Sequence, residues 1–193
     1  MGLVERVKGI LLTPRTEWPV IAGEATTPAE LYKGYIVPLA AIGPLCQIVG
    51  YSVLGIRMPL GGAVYRTPIG TAVTSAVVTY VLSLIGVYLL ALIIDGLAPT
   101  FGGSKDQIQA LKTAAYSSTA SWVAGIFTLV PGLRVLAILG LYSIYLLYVG
   151  LPVTMKAPAD RAGAYTGVVI LAAFVLFFIV GMIGGRLMGA PIY

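Results

Sequence analysis

Long apolar runs dominate the chain, and polar residues gather in the gaps between them. Five runs are long enough to cross about 30 Å of hydrocarbon, which takes about 20 helical residues. They cover roughly Ile36–Ile56, Ile69–Ile94, Ile108–Val130, Leu133–Pro152 and Tyr165–Leu187. A closed β-barrel is the other way to cross a bilayer. Strict apolar–polar alternation over segments of about ten residues is absent, however. The pattern therefore predicts an all-α fold: a bundle of five transmembrane helices forming a single domain over residues 1–193.

Local signals refine the ends of these helices. Thr27-Pro28-Ala29-Glu30 combines a capping box with proline at the first helical position, so the first helix is expected to start at Pro28, ahead of its apolar run. Ser104-Lys105-Asp106-Gln107 reads as a second capping box, opening the third helix. Pro131-Gly132 is expected to end the third span and turn the chain tightly into the fourth. Pro38 and Pro44 lie inside the first span and should kink it or loosen its hydrogen-bond ladder. Residues 1–34 differ from the rest. Leu3, Val4, Val7 and Leu11 share one helical face, away from Glu5, Arg6 and Lys8, which predicts a short helix lying in the membrane interface. A second short helix around Glu17–Ala22 would set Trp18 at headgroup depth.

Composition sharpens this picture. Of 193 residues 59% are hydrophobic and only 10% charged, against about 25% charged in a soluble domain. That surplus of apolar surface needs lipid as its solvent. The net charge of +5 is scattered through loops, which excludes a nucleic-acid groove. Lys and Arg divide unequally: eight on the side holding the N-terminus and the second and fourth connections, four on the other. The positive-inside rule then places the N-terminus in the cytoplasm and the C-terminus outside.

Three stretches carry a family resemblance. The first is Leu12-Thr13-Pro14-Arg15 with Trp18 and Ile21. The second is Leu97-Ala98-Pro99-Thr100-Phe101-Gly102-Gly103, followed by Ala114-Ala115-Tyr116-Ser117. The third is Tyr145-Leu146-Leu147-Tyr148-Val149-Gly150-Leu151-Pro152 with Met155-Lys156 and Pro158. Together they resemble the bacterial branch of the Yip family, five-span proteins named for interacting with Ypt/Rab GTPases. The likeness covers nearly the whole chain, and its Gly-Leu-Pro segment is the most specific part. It implies a five-span fold with a cytoplasmic N-terminus, in a bacterial inner membrane. In eukaryotes the family acts in Golgi and endoplasmic-reticulum traffic by binding Rab-type GTPases and other Yip members. This chain departs from those members in having a short N-terminal region, and Thr119-Ala120 where many carry Thr-Pro.

The residues offer little to a catalyst. There is no histidine, no carboxylate in the middle of a span, no P-loop and no metal-ligand cluster, so no catalytic residue, cofactor or metal is predicted. Cys46 in an apolar helix reads as a small buried hydrophobe. Asp95 closes the second span and reads as a carboxylate at the water boundary; Gln47 reads as glue between helices. Small-residue stripes run down three helices: Thr71, Ser75, Thr79 and Ser83; Ser117, Ser121 and Gly125; Gly181, Gly185 and Gly189. Such stripes let backbones approach closely. They suit packing within one bundle or, as the alternative, a dimer or partner interface. Tyr142, Tyr145 and Tyr148 recur every three residues as packing or groove-lining aromatics. Trp18, Lys105, Lys112 and Lys156 are expected on a cytoplasmic surface that meets a partner or anionic lipid.

The reading that follows is a non-enzymatic integral membrane protein of the Yip type. Its partners would be the lipid bilayer and a membrane-protein partner or a second copy of itself, and it would organise membrane or an assembly. The alternative is a small channel or transporter whose polar path is lined by Gln47, Asp95, Tyr142, Tyr145 and Tyr148.

Overall fold

Without water to bond, a backbone in hydrocarbon must satisfy its own N–H and C=O groups, and helices do this within one segment. The computed structural model, which describes residues 2–57 and 64–187, is accordingly built of helices. Among the described residues four stretches are long and apolar enough to cross a membrane: Pro28–Leu54, Ile69–Phe101, Val135–Thr154 and Ala162–Met182.

The chain begins with two short helices, α1 (Leu3–Leu12) and α2 (Pro14–Gly23), joined at Thr13. Pro14 starts α2, where its missing N–H costs nothing. The two form a hairpin that packs on the bundle. Leu3, Val7 and Leu11, the face expected to meet lipid, lie against the protein core, while Val4 is 64% exposed. Arg6 and Ile10 are the buried residues of α1.

The first long helix, α3 (Pro28–Leu54), opens with the expected capping box. The Thr27 hydroxyl accepts from the Glu30 N–H at 3.3 Å, and the Glu30 carboxylate accepts from the Thr27 N–H at 2.8 Å. Its winding is uneven. Wide π-type turns cover Tyr32–Ile36, immediately before Pro38, and Val49–Leu54, after Pro44. Both prolines withhold an N–H from the ladder, and wider turns re-route the remaining bonds. A two-residue antiparallel ribbon follows, β1 (Ile56–Arg57) with β2 (Val64–Tyr65).

The second long helix, α4 (Ile69–Leu97), is unbroken over 29 residues, roughly 43 Å. It ends in a 3-10 turn, Ala98–Phe101, and Gly102 takes a left-handed φ of 76° that favours glycine. The next N-cap is Asp106, whose carboxylate accepts from the N–H groups of Ile108 and Gln109, both at 3.1 Å. This corrects the capping box read at Ser104. The Ser104 N–H instead donates to the Met155 carbonyl at 2.8 Å, so Ser104 is committed to a contact with the chain's later half.

The predicted third span, 108–130, is divided into α5 (Gln107–Ser117), α6 (Thr119–Ala124) and a 3-10 turn, Gly125–Leu129. The division has a local cause. Ser117 and Ser118 both donate side-chain hydrogen bonds to the Ala114 carbonyl, at 3.2 and 2.7 Å, and Thr119 donates to Tyr116 at 2.7 Å. Back-bonding hydroxyls compete with the helix ladder and bend it. The ends of this segment sit at opposite ends of the bundle. The Asp106 N–H reaches the Asp95 carboxylate at 2.8 Å, while a Cβ added to Gly50 would lie 2.4 Å from the Thr128 carbonyl oxygen.

A 3-10 stretch, Pro131–Leu141, leads into α7 (Tyr142–Thr154), and α8 (Ala162–Leu187) closes the bundle. The best-buried side chains gather at the end that carries the hairpin: Trp18, Ile21, Ile36, Ile94, Leu111, Leu146, Leu151, Met155, Tyr165 and Val169. There Phe101 stacks on Tyr165 at 5.0 Å between ring centres.

Candidate functional site

Two charged side chains fasten the N-terminal hairpin. Arg6 of α1 is ion-paired with Glu17 of α2 and with Glu24 just beyond it, and its guanidinium lies 5.9 Å from the centre of the Tyr116 ring. Burial alone would lower the proton affinity of Arg6. The hydrogen bond and charge of Glu24, helped by Tyr116 and Glu17, outweigh it and hold the guanidinium above its ordinary value. Lys112 of α5 is 2% exposed, and its ammonium donates to the carbonyls of Ile21 at 2.9 Å, Glu24 at 2.6 Å and Ala22 at 3.5 Å. These are orphan acceptors at the C-terminal end of α2, where a cation is favoured.

The expected cytoplasmic surface is therefore corrected at two of its four residues. Lys112 is inside the protein because three carbonyls replace its water. Trp18 is fully buried in the protein, because it lies on Gly150 of α7 and edge-on to Tyr116 at 6.3 Å. Lys105 and Lys156 are exposed.

The three stretches that carry the family resemblance meet here. Trp18 of the first rests on Gly150 of the third and against Tyr116 of the second. The second also reaches the third: a Cβ on Gly103 would lie 2.8 Å from the Met155 carbonyl oxygen, which the neighbouring Ser104 N–H bonds. Tyr35 ties α3 to this junction by a 2.7 Å hydrogen bond with Thr119, and Thr113 and Thr154 share one of 2.6 Å.

Towards the other end, α8 leans on α4, with Phe177 over Gly86, and a cleft of about 840 Å³ opens. Its walls come from α4, α5, α6, the Pro131–Leu141 stretch, α7 and α8, with Val87, Leu90, Leu147, Ile170 and Phe177 among them. Phe174, also on the wall, is 71% exposed, so the cleft opens onto the lipid-facing surface. Ser83, Ser117, Ser121 and Gly125, read as packing residues, line it, together with Ser118, Thr128 and Ser143. Most of these hydroxyls are spent on the protein itself. Ser121 and Ser143 share a 2.9 Å hydrogen bond, Ser121 also bonds the Gly140 carbonyl at 3.1 Å, and Thr128 bonds Gly125 at 2.7 Å. With their donors internally satisfied, the surface they offer is largely apolar.

The remaining candidates stand apart. Asp95 accepts from the Asp106 N–H, and Tyr142 donates to the Leu11 carbonyl at 3.1 Å, securing the tip of the hairpin. Tyr145 packs against Tyr142, Tyr148 is exposed, and Gln47 and Cys46 are half-buried. None of Gln47, Asp95, Tyr142, Tyr145 and Tyr148 lines the cleft. Thr71 and Thr79 are exposed, Ser75 half-buried; the packed face of α4 is the neighbouring line of Ala72, Ala76, Gly86 and Leu90. A Cβ at Gly181 or Gly185 would meet nothing within 4 Å, so neither is held against a described neighbour, and Gly189 lies outside the described residues. Gly125 does allow a close crossing: its Cβ would lie 2.9 Å from the Gly43 Cα. The sequence reading did not single out Arg6, Glu17 and Glu24. Their pairing joins residues 11 and 18 positions apart, which no helical period signals.

This build defines a class: an integral membrane protein of apolar helices, with a polar junction at one end and a lateral cleft. More particularly, the chain belongs to the Yip1-domain family, whose model matches residues 8–182. It is similar to the protein named inner membrane protein YohC of Escherichia coli K12, and to its counterpart in E. coli O6:H1 strain CFT073. Each is 26% identical over 153 residues, 77% of this chain and 78% of the relative. No solved structure matches.

Proposed function

We propose that this is a non-catalytic inner-membrane protein that takes the acyl chain of a membrane lipid into its lateral cleft and thereby organises the surrounding membrane or an assembly within it. The observation that carries this reading is the cleft itself: about 840 Å³, apolar, and open on the side that faces lipid. An apolar space of this size would be filled from the bilayer rather than by water, which needs polar partners. A conducting path, the competing reading, would need Gln47, Asp95 and the three tyrosines around one opening, and they do not share the cleft.

The same reading gives the chain five passes. Residues 107–129 would rise roughly 35 Å as α-helix and 3-10 turn, enough for the hydrocarbon despite their break. The basic residues favour a cytoplasmic N-terminus and an outside C-terminus. The relatives' name, inner membrane protein, supports the same membrane.

The test is photo-cross-linking in nanodiscs containing a lipid with a photoactivatable acyl chain. Labels are expected at the cleft wall, on Phe174, Ile144 or Ser121, and should fall when Ser121→Leu fills the space. Labelling spread evenly over outward residues such as Val77 and Leu171, and unchanged in the variant, would overturn the proposal.

A further inference from the structure

A second cavity, of about 320 Å³, lies between the start of α1, the connection Glu24–Thr26, the first turns of α3 and the Lys112–Tyr116 face of α5. It shares no residue with the cleft. Its wall carries two cations, Arg6 and Lys112, and two carboxylates, Glu24 and Glu30. The distribution of their hydrogen bonds decides what they can offer. Lys112 gives its donors to three carbonyls, so it contributes charge and no free N–H. Arg6 uses two of its five N–H groups on Glu17 and Glu24 and keeps the rest. Glu30 accepts from backbone and has no cationic partner among the described residues. Tyr116 supplies an independent sign. It is 8% exposed and lines the cavity, and its hydroxyl has no hydrogen-bond partner among the described residues. That hydroxyl is therefore left able to bond a ligand in the cavity.

We propose that this cavity binds a zwitterion bearing an ammonium and a phosphate a few bonds apart, the chemistry of an ethanolamine phospholipid headgroup. The phosphate is held by Arg6 and the Tyr116 hydroxyl, the ammonium by Glu24 and Glu30. A purely anionic ligand would face the two carboxylates, and a purely cationic one the two cations, so the balanced wall selects a ligand carrying both signs. The position agrees with a lipid source: the cavity lies beside Glu30, Gly34 and Tyr35, where α3 passes from its polar start into its apolar run.

The experiment is native mass spectrometry of the protein released from nanodiscs containing equal amounts of phosphatidylethanolamine and phosphatidylglycerol. Preferential retention of the ethanolamine lipid is expected, falling about tenfold in Tyr116→Phe and in Glu30→Gln. Thermal unfolding confirms that each variant is folded. Ser121→Leu in the cleft should leave the headgroup preference unchanged, which separates this proposal from the acyl-chain reading. Soluble phosphoethanolamine distinguishes the sources: release of the lipid by millimolar amounts supports a site for the free zwitterion as well, and no release supports the lipid alone. Equal retention of both lipids, or retention unaffected in both folded variants, overturns the proposal.

Discussion

Trp18 occupies the space that a side chain at Gly150 would need: a Cβ there would come within 2.6 Å of the indole Cζ2. Residues 132 positions apart thus form one fitted contact between the N-terminal hairpin and α7. Gly150→Ala should destabilise the folded protein by about 1–3 kcal/mol through overpacking. Trp18→Ala alone should cost about 3–5 kcal/mol. In the double variant the Gly150 penalty should vanish, since the clashing ring is gone. Thermal unfolding in detergent measures all three; an undiminished Gly150→Ala penalty without the tryptophan would refute the contact's role.

Lys112→Met should loosen the end of α2. It leaves the carbonyls of Ile21 and Glu24 without their side-chain donor, at a cost of about 1–3 kcal/mol, while the Ala22 carbonyl keeps the Gln109 amide at 2.9 Å. Limited proteolysis between Gly23 and Thr27 should accelerate. Lys105→Met, at an exposed position, should stay within about 0.5 kcal/mol of the native protein.

Alkali should reveal the choice of arginine at position 6. Its folded-state proton affinity is raised, so its stabilising contribution is complete below the unfolded-state value and is lost only as pH climbs through the higher folded one. Hairpin docking, followed by Trp18 fluorescence, should not weaken through Arg6 up to about pH 11. In Arg6→Lys the ammonium ordinarily deprotonates near about 10.4, so docking should begin to fail in the upper part of that range. Identical alkaline profiles for the two proteins would count against the ion pairs as the fastening.

Lys156 holds a left-handed φ of 53° just after α7, a position that usually favours glycine. Lys156→Gly should stabilise the protein by about 1 kcal/mol, raising its melting temperature. A lower melting temperature would mean that the lysine side chain contributes more than its backbone costs.

Much of the scaffold could be read directly because its causes are local. Apolar length marks the spans, Thr27 and Glu30 mark a helix start, and Pro38 and Pro44 mark uneven winding. The break after Ser117 also had a local signal, the Ser-Ser-Thr run, whose hydroxyls compete with the ladder. The junction was less legible. Whether Trp18 faces lipid or Gly150, and whether Lys112 faces water or the end of α2, depends on partners 132 and about 90 positions away. Composition places both at a membrane boundary and stops there. The cleft is harder still, since it is a place where helices fail to touch, and small residues predict close approach.

The anchoring of the hairpin sets an order of events at the ribosome. Residues 3–23 are made before the bundle that seats them, and Tyr142, whose hydroxyl donates to the Leu11 carbonyl, comes 131 residues after it, with Gly150 later again. At about 5–20 residues per second, the segment waits roughly ten seconds for its seat. Through that interval its Arg6, Glu17 and Glu24 can already pair with one another, because all three lie in the part that has emerged. The hairpin can therefore close on itself first and arrive at the finished bundle as a preassembled piece.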